Sequence, residues 1–146
     1  MISVNFDFSS VLRDMVSLRN ACSDCSPAME QIGTLLLSIN SQVFAVSGPG
    51  WPRSKRRGSP LVRTGDLRRS FTVKGAPGNV WVVGPDHGEF GSDLDYAKPV
   101  TEGGPRVMPD GREVNLPQRL VMHQPNKTLS DAMSQLVEDH VLRAIQ

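Results

Sequence analysis

The sequence predicts an α+β fold, with an antiparallel β-sheet built from hairpins and packed with N-terminal helices and a C-terminal helix. Apolar residues recur at helical spacing near both ends of the chain, and between them short extended runs flank turns rich in Gly, Pro, Asn and Asp. At 146 residues the chain is long enough for one core. We therefore expect a single domain over 1–146, with a helical part at 1–46, an extended basic loop at 47–63, and the sheet and last helix at 64–146.

Two helices are predicted in the N-terminal part. The first has one apolar face, which we expect to be buried and which consists of Phe8, Val11, Leu12, Met15, Leu18, Ala21 and Cys22. A second helix begins where Ser26 can act as a cap and Pro27 fits the first turn, and its apolar pattern continues to about Ala45. Few residues join the two helices, which favours a hairpin or a bent pair.

The loop at 47–63 is predicted to be irregular because Gly and Pro interrupt any regular pattern. The stretch 53–69 is basic, and its positive charge is carried by Arg53, Lys55, Arg56, Arg57, Arg63, Arg68 and Arg69. These residues could neutralise phosphates or pair with acidic surface on a neighbouring protein, and Trp51 could stack on a base. A net charge of +1 for the whole chain disfavours nucleic-acid binding as the main role. A nucleic-acid-binding module acting through 53–69 stands as an alternative.

The segment Thr64-Gly65-Asp66-Leu67 is interpreted as the start of a short helix, with Thr64 as its cap and Asp66 in its first turn. A phosphate-binding turn would instead follow a strand and open a long helix. Phe71 and Val73 alternate with polar residues, which predicts a strand that turns at 76–79 and returns over 80–84.

The rest of the chain is predicted in four further pieces. An acidic loop at 86–95 precedes a short helical or irregular segment that ends at Gly103 and Gly104. Asp110 and Gly111 indicate the turn of a second hairpin within 106–116. A C-terminal helix is predicted over 128–145, with a common face formed by Leu129, Met133, Leu136, Val137, His140, Val141 and Ala144.

Two groups of residues could suggest metal or redox chemistry. Cys22 and Cys25 are spaced as C-x-x-C, but the sequence has no second pair that would complete a zinc site, so we interpret them as residues of a helix end. The acidic loop, with Asp86, His87, Glu89, Asp93 and Asp95, does not fit the calcium-loop pattern. No motif supplies a nucleophile and its base. The sequence therefore predicts a protein that is not an enzyme and has no cofactor or metal. A metal-dependent enzyme using the acidic loop is the weakest alternative.

Four motifs occur in an order that resembles the virion-morphogenesis and tail-completion proteins of tailed phages. Trp51-Pro52 and the basic loop lead into "LVRTGDLRRSF", which is similar to the family pattern "L..TG.L..S". The later motifs are Val80, Val82, Val83 and Gly84 as "V.VG", Tyr96-Ala97 with Glu102-Gly103-Gly104 as "YA..H..GG", and Pro117 with Arg119 as "iPaR". The resemblance covers about 51–145. It departs from the pattern at 98–101, where the usual His or Gln is missing, and at Leu120, where an aromatic residue is common.

This resemblance implies a structural virion protein at the head–tail neck or the tail end, which completes the tail and joins it to the head. It implies a ring of identical copies, with a hexamer expected, that contacts tail-tube and head–tail connector proteins. DNA would pass through the channel without sequence-specific contact. No membrane contact is implied, and the protein would be made in the bacterial host cytoplasm. A head-completion or minor capsid component is the alternative within the same class.

We expect the loop at 47–62 and the hairpin at 106–116 to form contact surfaces, because both are long and polar. The candidate residues for contact with a neighbouring subunit or partner are Trp51, Arg53, Lys55, Arg56, Arg57, Arg63, Arg68, Arg69, Arg106, Arg112 and Arg119.

Overall fold

A computed structural model of the chain describes residues 9–46, 48, 50–52, 61, 64–119, 121 and 127–144. Within these residues 55% are helical and 15% lie in strands, which confirms the predicted α+β class. The elements in chain order are α1 (Ser9–Ser23), α2 (Ser26–Ala45), α3 (Asp66–Thr72), β1 (Asn79–Val83), β2 (Gly88–Ser92), α4 (Ala97–Glu102), β3 (Gly104–Val107), β4 (Glu113–Leu116) and α5 (Lys127–Arg143). Among the described residues, the two hairpins β1–β2 and β3–β4 form two separate antiparallel sheets.

The chain divides into two compact units. The first contains α1, α2 up to Ile32, the turn Val83–Gly88 and α5, and the second contains the rest of α2 and the described residues between α2 and α5 other than that turn. The single domain predicted over 1–146 stays a prediction. None of the described helices is both long enough and apolar enough to cross a membrane.

In the first unit, α1 packs against α5, and hydrogen bonds hold the short junction between α1 and α2. The backbone N–H of Cys25 donates to the carbonyl of Pro85 over 2.8 Å, and Nε2 of His140 lies 2.9 Å from the carbonyl oxygen of Asp24. The Asp24 carboxylate accepts a hydrogen bond of 3.0 Å from the backbone N–H of Ser26, at the start of α2. Hydrogen bonding from Ser26 holds the pKa of Asp24 below its ordinary value.

The apolar face of α1 is exposed, which contradicts its predicted burial. Leu12 and Met15 are 62% and 61% exposed, and Val11 and Leu18 are also exposed. Ala21 is the buried residue of that face, while Phe8 lies outside the described residues. Helical periodicity shows that a helix has an apolar face, but it carries no information about which surface covers that face.

The core of the second unit is drawn from several elements. Its buried residues are Phe44 of α2, Leu67 and Phe71 of α3, Ala97 of α4, and Val121. Half-buried side chains packed against this cluster are Trp51, Leu61, Leu94 and Val100.

Phe71, which the alternating pattern placed in a strand, belongs to helix α3. Leu67, Ser70 and Phe71 follow helical spacing and are all buried. Val73 is the first extended residue after the helix, and its N–H donates to the carbonyl of Arg69 over 2.9 Å. The prediction was wrong because two apolar residues separated by one polar residue also fit a helix that ends between them.

Two asparagine side chains satisfy carbonyl groups that the end of α3 leaves without intrahelical partners. Nδ2 of the buried Asn40 donates to the carbonyl of Phe71 over 3.1 Å, and Nδ2 of Asn79 donates to that of Ser70 over 2.8 Å. The Asn79 side chain also accepts a 3.0 Å hydrogen bond from the N–H of Gly75. These contacts fix the turns that connect α3 to β1.

The first hairpin joins β1 to β2, so β1 does not return along 71–74 as predicted. The predicted acidic loop therefore contains a strand, Gly88–Ser92. A hydrogen bond of 2.8 Å from the N–H of Gly84 to the carbonyl of His87 closes the turn. The Trp81 and Phe90 rings meet edge to face with centroids 4.9 Å apart.

These two rings lie against Gly33 of α2. A Cβ at Gly33 would stand 2.4 Å from Cε1 of Phe90 and 2.5 Å from Cη2 of Trp81, so the hairpin packs where the helix has no side chain.

Gly33→Ala is expected to destabilise the fold even though alanine favours helices. The gain in helix propensity is about 1 kcal/mol, whereas forcing the rings apart costs about 1–3 kcal/mol. Urea unfolding measures the net change. Ser38→Ala, at an exposed position of the same helix, serves as the control and should be neutral or slightly stabilising. A net gain in stability from Gly33→Ala would contradict this packing.

The second hairpin and the short helix before it follow the prediction. β3 and β4 pair with Gly104 opposite Leu116 and Val107 opposite Glu113, around a turn that includes Asp110 and Gly111. In that turn the N–H of Met108 donates to the carbonyl of Arg112 over 2.8 Å.

Candidate assembly surface

The sequence motifs meet in the core of the second unit. Leu67 from the Thr-Gly-Asp-Leu segment, Ala97 from the Tyr-Ala segment and Val121 after the Pro-Gln-Arg segment are all buried in one cluster. The N–H of Arg119 donates to the carbonyl of Thr101 over 2.8 Å, which ties the last of these segments to α4. The buried residues of the motifs therefore stabilise the core of the second unit, whereas their exposed neighbours lie on its surface.

Gly103 joins α4 to the second hairpin at a point where no side chain fits. Its φ is +72°, a region that favours glycine. A Cβ there would lie 2.6 Å from the carbonyl oxygen of Leu116 and 2.7 Å from the backbone nitrogen of Gln118. This close approach positions the hairpin relative to α4.

Helix α3 begins one residue later than predicted, because Gly65 rather than Thr64 occupies the N-cap position, with φ +82°. No side chain caps the helix, although Oγ1 of Thr64 accepts a 3.4 Å hydrogen bond from the N–H of Asp66. Asp66 lies in the first turn as predicted and forms an ion pair with Arg69. The hydrogen bond to Thr64, followed by that to Arg69, holds the pKa of Asp66 below its ordinary value.

Two adjoining cavities open beside these segments. The first, of about 530 Å³, is lined by Leu61, Thr64, Asp66, Leu67, Tyr96 and Val100. The second, of about 500 Å³, lies under the second hairpin and is lined by Val100, Arg106, Val107, Met108, Pro109 and Leu116. Val100 of α4 lines both cavities.

The β3–β4 hairpin presents apolar side chains to solvent. Val107 is 63% exposed, and Met108 and Val114 are exposed as well. Arg106 lies opposite Val114 in the register, and its side chain has no hydrogen bond or ion pair with any described residue. A two-stranded hairpin is marginally stable in water by itself. We call Val100, Arg106, Met108, Val114 and Leu116 the hairpin face, since Arg106, Val114 and Leu116 lie on one side of the sheet and Val107 lies on the other.

The candidate contact residues fall into three groups. Five lie outside the described residues, together with most of the loop at 47–63: Arg53, Lys55, Arg56, Arg57 and Arg63. Arg68 and Arg69 are exposed on α3, and Arg106 and Arg112 are exposed on the hairpin and its turn. Arg112 pairs with Asp110 over 2.7 Å, and its hydrogen bonds hold the pKa of Asp110 below the ordinary value.

Trp51 and Arg119 are engaged with their own chain. The Trp51 ring meets Phe44 edge to face with centroids 5.7 Å apart. Nη2 of Arg119 lies 3.4 Å from the carbonyl oxygen of Pro52, while Nε is buried and has no hydrogen-bond partner among the described residues. Both side chains support the fold around the 51–52 segment.

The charge pattern did not reveal the apolar part of this surface. Val100, Met108 and Val114 carry no charge, and an apolar residue at strand or helix spacing is first assigned to the core. For the hairpin, a usable sequence signal is that β3 and β4 are short and carry apolar residues on both sides. A single core can cover only one side of such a two-stranded sheet.

The acidic loop and the cysteines were the candidates for metal or redox chemistry. Nδ1 of His87 lies 2.8 Å from the carboxylate of Asp86, and the contact with His87 holds the pKa of Asp86 below its ordinary value. Cys22 and Cys25 are free thiols. Over the part of the chain that the structure describes, no three His, Cys, Asp or Glu side chains come together in a group suited to a metal ion.

The chain matches no protein-family model, no curated protein and no solved structure. The family suggested by the motifs therefore stays a prediction.

Proposed function

We propose that this chain is a non-enzymatic structural subunit of a tailed-phage virion. It acts at the head–tail neck or the tail end, where copies of it form a ring that completes the tail and joins it to the head. The proposed partners are further copies of the chain and the tail-tube and connector proteins, with DNA passing through the ring. The order of the motifs suggests the family, and the observation that supports an assembly role is the uncovered hairpin face.

The hairpin face has the composition of a contact surface. Met108 and Val114 are exposed, and Met108 and Arg106 line an apolar cavity. Among the described residues, Arg106 has no hydrogen-bond or ion-pair partner. Burying one such side chain completely stabilises a complex by about 1.5–3 kcal/mol. A partner that covers the hairpin would also supply further strands or a packing surface, which a two-stranded sheet needs for stability.

Val114→Lys is expected to weaken self-association because it places an ammonium group in the buried centre of the contact. The loss should be at least about 10-fold in dissociation constant, since one buried valine contributes about 1.5–3 kcal/mol. Light scattering of the purified protein over a range of concentrations measures the mass. Val82→Lys, at a comparably exposed position of β1, is the matched control and should leave the oligomer intact.

A protein that remains monomeric at every concentration, or an oligomer that Val114→Lys leaves unchanged, would overturn assembly through this face. The same preparation should be titrated with a short DNA duplex at two salt concentrations. Tight binding that falls steeply with salt would instead favour the nucleic-acid-binding alternative, because phosphate contacts release counterions.

A further inference from the structure

The outer edge of β4 presents backbone groups that the hairpin does not use. The N–H of Met108 donates to the carbonyl of Arg112, and in an antiparallel pair such hydrogen bonds recur at every second pair of residues. The N–H and carbonyl groups of Glu113 and Asn115 therefore point away from β3. Both residues are exposed, and their backbone groups have no hydrogen bond to any described residue.

The outer edge of β3 is less suited to a further strand. The β3 residues whose backbone groups point outward are Pro105 and Val107. Pro105 has no N–H, and natural sheets use proline at an edge in this way to prevent pairing. An added strand would therefore pair with β4.

The chain before α1 has the sequence pattern of a strand with one apolar side. These residues precede Ser9, where the described part of the chain begins. Over 2–7, apolar residues alternate with polar ones, Ile2, Val4 and Phe6 with Ser3, Asn5 and Asp7. A run of this length is enough to cover β4, which is four residues long.

We propose that the segment 2–7 of one copy adds to the outer edge of β4 in a second copy, as a third and antiparallel strand of that hairpin. The inference rests on the proposed self-assembly and names the segment that makes the contact. Residues directly opposite each other share a side of the sheet, so the apolar residues of the segment extend the hairpin face beside Val114 and Leu116. Because the segment and the edge differ, each copy can bind two neighbours, and such head-to-tail contacts close into a ring when the rotation permits.

Charge and length select the register of the added strand. With Val4 opposite Val114, the segment pairs with the whole of β4 and Asn5 lies opposite Glu113. A shift of two residues in one direction would place Asp7 opposite Glu113, and like charges directly opposite each other are destabilising. A shift of two residues in the other direction would carry Val4 past the end of β4.

Disulfide cross-linking between copies tests this register. The backbone groups of Val114 point towards β3, so Val4 and Val114 would form a non-hydrogen-bonded pair, with Cα atoms about 4.5 Å apart, a separation that a disulfide spans. In a chain whose free thiols are removed by Cys22→Ser and Cys25→Ser, we mix Val4→Cys chains with Val114→Cys chains and oxidise them with air and a copper catalyst. The expected product is a dimer that contains one chain of each kind. Ser3→Cys, which would face the other side of the sheet, is the matched control and should cross-link far less.

Three results would overturn the inference and leave self-assembly standing. One is an oligomeric protein in which Val4→Cys and Val114→Cys chains do not cross-link. Another is a chain with both cysteines that closes on itself as a monomer, which would show that the segment pairs within its own chain. The third is a cross-linked dimer of Val114→Cys alone, which would show that β4 pairs with β4. By contrast, a wild-type protein that is monomeric at every concentration would overturn the proposed assembly itself.

A proline substitution gives an independent readout. Asn5→Pro removes the N–H that would donate to the carbonyl of Glu113, so it should weaken the association by about 10-fold in dissociation constant. Asn5→Ala keeps that N–H and should remain within about 3-fold of wild type. Light scattering over a range of concentrations measures both. Equal dissociation constants for the two variants would contradict a strand that pairs through its backbone.

Discussion

Replacing Phe71 by alanine is expected to lower the free energy of unfolding by about 3–5 kcal/mol. The ring is 7% exposed and belongs to the cluster formed with Phe44, Leu67, Ala97 and Val121. A small domain has only about 5–15 kcal/mol of stability in total. The loss should be visible as a lower midpoint in urea unfolding followed by circular dichroism.

Val73→Ala is the matched control for this prediction. Val73 follows α3 and is 48% exposed, so its truncation should change the stability by no more than about 0.5 kcal/mol. In a strand, residues 71 and 73 would face the same side and share the same burial. Comparable losses for the two variants would therefore contradict the helical assignment of 66–72.

The second large effect is expected from Gly103→Ala. Its backbone, with φ +72° and ψ −159°, lies in a region that is essentially restricted to glycine, and a residue with a side chain there costs about 1–3 kcal/mol. The added Cβ would also press against the carbonyl of Leu116 and the nitrogen of Gln118. Those atoms belong to the backbone, so relief requires moving β4 away from β3 or breaking the hydrogen bond between Arg119 and Thr101. We expect a total loss of about 3 kcal/mol or more.

Gly75→Ala is the control for a positive φ without a close contact. Gly75 has nearly the same φ, +74°, but nothing lies within 4 Å of its Cβ position. It should therefore lose only the backbone part, about 1–2 kcal/mol. The difference between the two variants in urea unfolding contains the close approach of β4 and the extra backbone cost of ψ −159° at Gly103. Equal losses would show that the backbone conformation, and not the contact with β4, makes glycine necessary at 103.

Folding and assembly use different residues of the same motifs. Leu67, Ala97 and Val121 are buried, and changes to them should unfold the second unit. Val114 is exposed, so its change to lysine should alter the mass of the assembly and leave the fold intact. Measuring unfolding and mass for each variant distinguishes the two roles.

The sequence by itself determined the elements whose signals are local. Ser26 and Pro27 indicated the start of α2, the Asp110-Gly111 turn indicated the second hairpin, and the apolar period indicated α5 within about two residues of its observed bounds. These signals can be recognised in the sequence because a turn or a helix cap is formed by residues that are consecutive in the chain.

Only the tertiary structure decided which surfaces are covered and which strands pair. β1 pairs with β2 rather than with the segment that contains Phe71, because Leu67, Ser70 and Phe71 together bury one side of a helix. The exposure of the apolar face of α1 could not be predicted from the sequence, because contact between helices depends on residues distant in the chain, which a local period does not specify. For the same reason the charge of Arg106 was visible in the sequence, whereas the absence of an ion pair between it and any other described residue was not.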